Sequence, residues 1–262
     1  MKKNQITAQL YTTRDFIRNY KDFDETCQKL SNIGYELVQL SGWNTELDMK
    51  EIKKIIDSNG LKCIVTHHDS VKLLKEPEKI VEDLNILDCE YTAYPYPAGK
   101  LLRTQNQVND FIDELAKPGK VLKDNGKQLL YHNHHYEFMK TNGKIILDQI
   151  FDKISPDILQ GEIDTYWVQA GGQCPVKWCQ KLCGRLPILH MKDYAARLDC
   201  YGNVKTGISE IGVGNLDWKE IVKACDKGGC KYYVVEQDEN FNDPFDSLKI
   251  SFDYIVSNLC ND

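Results

Sequence analysis

The sequence predicts a single α/β domain folded as a (β/α)8 barrel, that is, a TIM barrel, and three observations support this prediction. The length of 262 residues fits one such barrel. Short apolar runs alternate with longer amphipathic stretches from one end of the chain to the other. No segment rich in Pro, Gly or Ser divides the chain, so one domain over residues 1–262 is expected.

The predicted strands are short, and several contain the β-branched and aromatic residues that suit a strand. They are Ile6–Tyr11, Glu36–Leu40, Lys62–Thr66, Tyr91–Tyr94, Gln128–His132, Leu159–Ile163, Ile188–Met191 and Tyr232–Glu236.

The segments between these strands show the apolar spacing of amphipathic helices. One such segment contains Phe23, Cys27 and Leu30 and is ended by Gly34, and another contains Ile52, Ile55 and Ile56 and is ended by Gly60. Later helices are expected at Val108–Leu122, Gly143–Ile154, Val176–Cys183, Trp218–Cys225 and Phe245–Leu259. Repeated strand–helix units imply a parallel sheet with right-handed crossovers.

A doubly wound open sheet is the alternative architecture. It would normally carry a phosphate-binding glycine loop after an early strand, and neither GxGxxG nor GxxxxGK[ST] follows the first strand here. The closed barrel is therefore favoured.

Charge and composition exclude several classes of partner. The net charge of −6, with acidic and basic residues mixed along the chain, argues against nucleic acid. No signal-like segment or run of about 18 apolar residues is present, so a cytoplasmic protein without a membrane partner is expected. The 10 cysteines are interpreted as reduced and mostly buried thiols, since a disulfide framework suits small exported domains. A homo-oligomer remains open.

All the histidines lie at or just after the ends of predicted strands: His67, His68, His132, His134, His135 and His190. Carboxylates share this placement, with Glu162 and Asp164 ending the sixth strand and Glu236 and Asp238 the eighth. Because side chains alternate along a strand, the members of each pair point the same way. The carboxyl ends of barrel strands form the active-site face, so these groups predict a site for a divalent cation there. The alternative for Asp69 and Asp238 is helix capping.

Five stretches at these strand ends resemble the xylose isomerase-like TIM barrel superfamily, which contains sugar phosphate isomerases and epimerases. They are YHNHHYEF (131–138), IDTYWVQAGG (163–172), ILHMKDY (188–194), GVGNLDWKEI (212–221) and YYVVEQD (232–238). The resemblance implies a divalent metal held by Glu, Asp, His and Glu from strands five to eight. Manganese is the first expectation, and Mg²⁺, Co²⁺ and Zn²⁺ are alternatives.

Carried over by position, the implied metal ligands are Asp164, His190 and Glu236, with Glu137 as the first choice on strand five. His132 is the alternative ligand, because it stands where many related epimerases have a Glu. The implied chemistry is isomerisation or epimerisation of a keto sugar or related polyol through an enediolate. Glu236 is the leading base, and His134 or Glu137 is its partner.

The remaining candidate residues would bind substrate. They are His68, His132, Trp167 and Lys192, with Tyr166 and Trp43 as further parts of an aromatic sugar platform. Lys192 has a second interpretation as a solvated lysine at the rim. Trp218 is expected to pack or cap a helix that begins near Asp217. No phosphate-binding signature is evident, so a free sugar or glycoside fits at least as well as a sugar phosphate.

Three other functions remain to be considered. The same site would serve a lyase or dehydratase acting on a 3-keto glycoside or an inosose, since removal of an α-proton allows loss of a β-substituent. A sugar-binding barrel without catalysis is a further alternative, but binding alone does not need Asp164, His190 and Glu236 together. A DNA-repair endonuclease is disfavoured by the acidic chain.

Overall fold

The computed structural model describes residues 1–97, 99–239 and 243–261, and these contain a closed barrel of parallel strands. Each strand pairs with its neighbours in sequence, and the last pairs with the first. The strands are β1 (Ile6–Gln9), β2 (Leu37–Ser41), β3 (Lys62–His67), β4 (Tyr91–Tyr94), β5 (Gln128–His132), β6 (Leu159–Asp164), β7 (Ile188–Met191) and β8 (Tyr232–Val235). The predicted fold class is confirmed.

Helices surround the barrel, and most coincide with predicted segments. They are α1 (Tyr20–Ile33), α2 (Met49–Ser58), α3 (Ser70–Lys75), α4 (Pro77–Ile86), α5 (Gln105–Asp124), α6 (Ile146–Lys153), α7 (Thr165–Ala170), α8 (Pro175–Lys181), α9 (Trp218–Lys227) and α10 (Pro244–Asn258). Gly34 ends α1 with a φ of 117°, in the left-handed region that glycine tolerates. Asp69 caps α3 and Asp217 caps α9, as expected for their positions.

Two predicted boundaries are wrong for local reasons. The first strand stops at Gln9 because a 3-10 helix, Leu10–Phe16, begins there and the Gln9 side chain accepts a hydrogen bond from the Tyr11 N–H. The helix predicted from Gly143 begins at Ile146, because Lys144–Ile145 pairs with Lys140–Thr141 in a small antiparallel hairpin.

An antiparallel hairpin between β7 and α9 was not predicted. It joins Asp193–Leu198 to Val204–Ser209. The buried Asp193 carboxylate secures its base by accepting hydrogen bonds from the Gly212 and Gly214 N–H groups and from Trp218 Nε1. This bonding fixes the chain that follows β7 and confirms that Trp218 packs at the start of a helix.

The inside of the barrel changes from apolar to charged along the strands. Val65, Leu130, Ile188 and Val234 belong to one buried apolar cluster. Residues two positions later along a strand point to the same face, so the next inward layer contains His67, His132, His190 and Glu236. The apolar layer therefore supports a polar layer at the carboxyl end of the barrel.

The described residues bear on two expectations from composition, which concern membrane-spanning helices and the burial of the cysteines. No helix in 1–97, 99–239 or 243–261 has the length and apolarity needed to cross a membrane. Six cysteines are buried, in agreement with the prediction of mostly buried thiols: Cys27, Cys63, Cys89, Cys179, Cys225 and Cys230.

Candidate metal centre and proton-transfer residues

A cavity of about 450 Å³ opens where the strands end. Its lining combines aromatic side chains with titratable ones, including carboxylates and imidazoles. The lining residues are Tyr11, Ser41, Gly42, Trp43, Thr45, His67, His68, Asp69, Lys72, Pro95, Tyr96, His132, His134, Glu236 and Asp238. The cavity thus provides flat apolar surfaces beside polar groups, which suits a polyhydroxylated molecule.

Four buried side chains converge at the floor of this cavity and are called here the Asp–Glu group. They are His132, Asp164, His190 and Glu236, and their ligand atoms all lie within 4.8 Å of one another. The strand register brings them together, because Asp164 on β6 is paired with His190 on β7, and His190 is paired with Val234 on β8.

A second set, called here the three-histidine group, lies beside the first and shares two of its members. It contains His67, His132, Glu162 and His190, whose ligand atoms also lie within 4.8 Å of one another. Glu162 Oε2 lies 2.5 Å from His67 Nε2, 3.4 Å from His132 Nδ1 and 3.3 Å from His190 Nε2. The Gln39 amide donates a hydrogen bond of 3.1 Å to the other oxygen, Oε1.

Lys192 is a buried cation among three carboxylates. Its Nζ lies 2.9 Å from Asp164 Oδ2, 2.8 Å from Glu236 Oε2 and 3.0 Å from Asp238 Oδ2. The residue is only 1% exposed, so its interpretation as a solvated rim lysine is wrong. Lys192 lies behind Glu236 and Asp238, which line the cavity.

The surrounding charges separate the proton affinities of the carboxyl groups. Burial opposes ionisation of Glu236, but the charges of Lys192 and His190 outweigh it and hold its pKa well below the ordinary value. For Asp164, burial dominates and raises the pKa to about 6. Burial also raises the pKa of Asp238. Adjacent carboxyl groups with pKa values shifted in opposite directions are the usual arrangement for a base and an acid.

The three-histidine group shows the same competition between burial and charge. Burial disfavours a charged Glu162, yet His190 and His67 hold its pKa well below the ordinary value. His190 is buried too, but the Glu162 charge outweighs burial and raises the pKa of His190 to about 10. Burial and the nearby His190 lower the pKa of His132 to about 3. Glu162 and His190 therefore form the ionised pair, while His132 stays neutral.

The donor set of the Asp–Glu group fits a divalent metal. Two imidazoles and two carboxylates supply mixed nitrogen and oxygen ligands, which suit ions such as Mn²⁺ or Zn²⁺. Within the described residues, one buried atom of this group, Asp164 Oδ2, has no hydrogen-bond partner. Asp164 Oδ2 does contact Lys192, but only as an ion pair.

No protein-family model matches the chain. An inosose dehydratase of Clostridium beijerinckii is 23% identical over 174 residues, which cover 62% of this chain and 58% of that protein. The match therefore spans less than two thirds of the relative's length.

Solved structures match along almost the whole chain. A sugar phosphate isomerase/epimerase from Parabacteroides distasonis is 20% identical, with a TM-score of 0.81, and the match covers 98% of this chain and 95% of that one. A xylose isomerase-like TIM barrel protein from Mycobacterium smegmatis, determined in complex with magnesium, is 12% identical with a TM-score of 0.73, covering 97% and 95%. The chain has the fold of the xylose isomerase-like TIM barrels. The resemblance expected from the sequence motifs is confirmed.

The structure does not place Glu137 with the other expected ligands. Glu137 is buried on the outer side of the barrel. Its carboxylate accepts hydrogen bonds from the Tyr131 O–H and the backbone N–H of His134, each 2.9 Å long. Tyr131 alternates with His132 on β5 and packs outside the barrel against Phe111 and Phe151. The geometry therefore joins His132, the alternative ligand, to Asp164, His190 and Glu236.

His134, a predicted proton-transfer partner, and the other predicted substrate-binding residues lie around the cavity in different ways. His134 lines it, and burial together with His132 lowers the pKa of His134 to about 2. His68 also lines it, although its nitrogens contact Thr66 and Asp83. Trp167 stacks on His135 with a centroid distance of 5.0 Å. Of the predicted aromatic platform, Trp43 lines the cavity.

Four residues of the site had no individual role predicted for them, although the strand-end pattern placed His67, Glu162 and Asp238 at the same face of the barrel. His67 and Glu162 belong to the three-histidine group, Gln39 accepts a hydrogen bond from His190 Nε2, and Asp238 contacts Lys192. Alternation along the strand carried the signal for two of them, because Glu162 shares the inward face of Asp164 and His67 shares that of Val65.

Proposed function

We propose that the protein is an enzyme that removes a proton beside the carbonyl of a neutral keto sugar or inosose and eliminates water or an alcohol, with a divalent metal as cofactor. The observation that carries this proposal is the shared contact of Lys192 with Glu236 and Asp238, two carboxylates that line the same cavity. A base and an acid on one side of the substrate suit an elimination. Manganese is the metal to test first.

The substrate class follows from the cavity lining. Its acidic residues, Asp69, Glu236 and Asp238, oppose a single lysine, Lys72, which itself lies 3.4 Å from the Asp83 carboxylate. Such a balance disfavours phosphorylated or carboxylated substrates and favours neutral polyols. Tyr11, Trp43 and Tyr96 provide apolar faces for a sugar ring.

The metal ligands in this proposal are His132, Asp164, His190 and Glu236. A divalent ion held there would stabilise negative charge on the substrate's carbonyl oxygen and so make the neighbouring C–H more acidic. The described contacts of the Glu236 carboxylate are made by Oε2, which leaves Oε1 for the substrate.

The protein residues complete a balanced elimination. Glu236 takes the proton from the carbon beside the carbonyl, and the electron pair of that C–H bond forms the new double bond. The β C–O bond breaks, and its oxygen takes a proton that comes from the Lys192 ammonium through Asp238, 3.0 Å away. Lys192 then recovers a proton from Glu236, 2.8 Å away. The products are an unsaturated ketone and water or an alcohol, and the enzyme returns to its starting state.

Isomerisation or epimerisation is the second candidate, and His134 favours it. His134 lines the cavity and follows β5, three strands away from β8 around the barrel. It therefore approaches the substrate from another side than Glu236. A proton returned there would invert the carbon instead of expelling its neighbour.

The names of the similar proteins support both candidates. The curated relative is named a dehydratase, which performs an elimination, and the solved structure from Parabacteroides distasonis is named an isomerase/epimerase. Both names describe proteins that act on small polyhydroxylated molecules, and we extend this substrate class to the present chain.

The test is product analysis in D₂O with the Mn²⁺-loaded protein. Substrates would be an inosose, 3-keto glucosides and free ketoses, with products followed by NMR. We expect release of water or aglycone, and we expect Glu236→Gln to slow it by about 10²–10⁴-fold, the range for loss of a general base. The exposed Glu51→Gln on α2 is the matched control. Deuterated isomers without elimination would support the epimerase instead, and absence of bound metal would reject both.

A further inference from the structure

The three-histidine group is a complete donor set in its own right. Three imidazoles and one carboxylate surround a common point, and none of the four residues is more than 9% exposed. His67 and His132 line the cavity, so an ion has a route to this point. The set is richer in nitrogen than the Asp–Glu group, which favours borderline ions over oxygen-seeking ones such as Mg²⁺.

Two of the three distances from Glu162 Oε2 to the imidazoles agree with tetrahedral coordination, and the third, 2.5 Å to His67 Nε2, is a hydrogen bond that an ion would replace. Metal–ligand bonds of about 2.0–2.1 Å place neighbouring donors of a tetrahedron about 3.3 Å apart. Glu162 Oε2 lies 3.4 Å from His132 Nδ1 and 3.3 Å from His190 Nε2. An ion would replace two existing hydrogen bonds, from His67 Nε2 to Glu162 and from His190 Nε2 to Gln39 Oε1.

The two groups use opposite nitrogens of the same two rings. Towards the Asp–Glu group, His132 presents Nε2, 3.9 Å from Asp164, and His190 presents Nδ1, 3.1 Å from Glu236. Towards Glu162 they present Nδ1 and Nε2, respectively. Two ions bound at once would require both shared imidazoles to lose both ring protons, which is costly for a neutral ring.

We propose that the three-histidine group is a second cation site, selective for a tetrahedral transition-metal ion such as Zn²⁺, and that its occupation excludes an ion from the Asp–Glu group. With Zn²⁺ there, the remaining N–H groups of His132 and His190 point to Asp164 and Glu236. His190 Nδ1, 3.1 Å from Glu236 Oε2, then has the carboxylate partner that commonly orients metal-bound histidine.

Lys192 supports this second site. Its ammonium already neutralises Asp164 and Glu236, and an ion in the three-histidine group leaves those ion pairs intact. An ion in the Asp–Glu group must instead share the same two carboxylates with Lys192. Zn²⁺ in the three-histidine group would therefore inhibit an enzyme that needs Mn²⁺ in the Asp–Glu group.

The first experiment is competition between Zn²⁺ and Mn²⁺ on the wild-type protein. We expect one Zn²⁺ per chain and release of one bound Mn²⁺ for each Zn²⁺ added, followed by the electron paramagnetic resonance of free Mn²⁺. Co²⁺ in place of Zn²⁺ should give the intense visible absorption of a tetrahedral site. Simultaneous binding of Zn²⁺ and Mn²⁺ would overturn the proposed exclusion.

Two variants assign the ions to their sites. His67→Ala should weaken Zn²⁺ binding by about 100-fold or more, as expected for a lost ligand, and change Mn²⁺ affinity by less than about 10-fold. Asp164→Asn should give the reverse pattern, since it removes a charged ligand of the Asp–Glu group and leaves the four residues of the three-histidine group unchanged. The exposed His135→Ala is the matched control and should bind both ions as the wild type does.

Circular dichroism and thermal unfolding check that the variants fold, and His67→Gln replaces His67→Ala if the latter does not. Unchanged Zn²⁺ affinity in the His67 variant would overturn the second site. Failure of the wild type to bind Mn²⁺ would instead reject the proposed function, and the dependence of Zn²⁺ binding on His67 would remain a separate result.

Discussion

Two fully buried carboxylates lie in different regions of this barrel and behave in opposite ways. Glu162 lies inside the barrel among imidazoles, and their charges hold its pKa well below the ordinary value despite burial. Glu137 lies outside the barrel, where no cation contacts it in the described residues, and burial raises its pKa to about 8. Neutral hydrogen-bond donors satisfy Glu137 geometrically, but only nearby positive charge keeps a buried carboxylate ionised at neutral pH.

The inner region is built so that charges compensate one another. Lys192, His190 and the carboxylates around them form a buried network with contacts of about 3 Å. Such a network contributes little net stability compared with an apolar core, but removal of one partner leaves the others uncompensated. The outer region contains a single carboxylate and two donors, so a change there has a smaller and more local effect.

The largest expected effect comes from removing the inner cation. Lys192→Met leaves Asp164, Glu236 and Asp238 without their shared ammonium. The free energy of unfolding of the metal-free protein should fall by about 3–5 kcal/mol, the usual cost of breaking a buried ion pair. Saturating Mn²⁺ should restore more stability to the variant than to the wild type, because the ion no longer shares Asp164 and Glu236 with a lysine.

Urea unfolding with and without Mn²⁺ measures both parts of this prediction. Lys181→Met, which removes a half-exposed lysine paired with Asp148, is the matched control and should barely change the midpoint. A metal-free Lys192→Met protein as stable as the wild type would show that the inner carboxylates do not depend on this cation.

The second effect is a pH dependence that belongs to the outer carboxylate. The pKa of Glu137 is about 8 in the folded protein, above the ordinary value of 4.5, so the folded state holds this proton more tightly than the unfolded state. Its contribution to stability is complete below about pH 4.5 and is lost as the pH rises through about 8. Between these limits, wild-type stability should fall relative to Glu137→Gln by about 1.4 kcal/mol per pH unit at most.

The measurement is the free energy of unfolding of both proteins from pH 5 to pH 9, with Glu51→Gln as a surface control. At any one pH, the Mn²⁺ affinities of the wild type and Glu137→Gln should agree within about threefold. Loss of a residue that hydrogen-bonds to a metal ligand usually lowers metal affinity by roughly 10–100-fold, and Glu137 is expected to have no such role. Parallel pH profiles would contradict the raised pKa, and lost Mn²⁺ binding would restore Glu137 as a ligand.

The contrast between Glu162 and Glu137 also shows which parts of the site could be predicted from the sequence. Alternation along β6 correctly placed Glu162 and Asp164 on one face, because that face follows from strand geometry alone. The position of Glu137 depends on the 3-10 turn Tyr136–Phe138 after β5, which directs the carboxylate towards Tyr131. The burial of Lys192 depends on carboxylates from β6 and β8 meeting in space, and no local pattern encodes that meeting.

The smallest expected effect comes from the outer hydroxyl. Tyr131→Phe removes the O–H that donates to Glu137 Oε1 and leaves the ring packed between Phe111 and Phe151. At pH 6, where Glu137 is neutral, the loss should be about 1 kcal/mol, as for an ordinary hydrogen bond. Above pH 8 the loss should grow, because the hydroxyl stabilises the ionised form and its absence raises the pKa of Glu137 further.

Mn²⁺ affinity should not change, since Tyr131 faces away from the Asp–Glu group. Denaturant unfolding at pH 6 and pH 9 tests this, and an equal loss at both values would show that Glu137 does not ionise in the folded protein over that range.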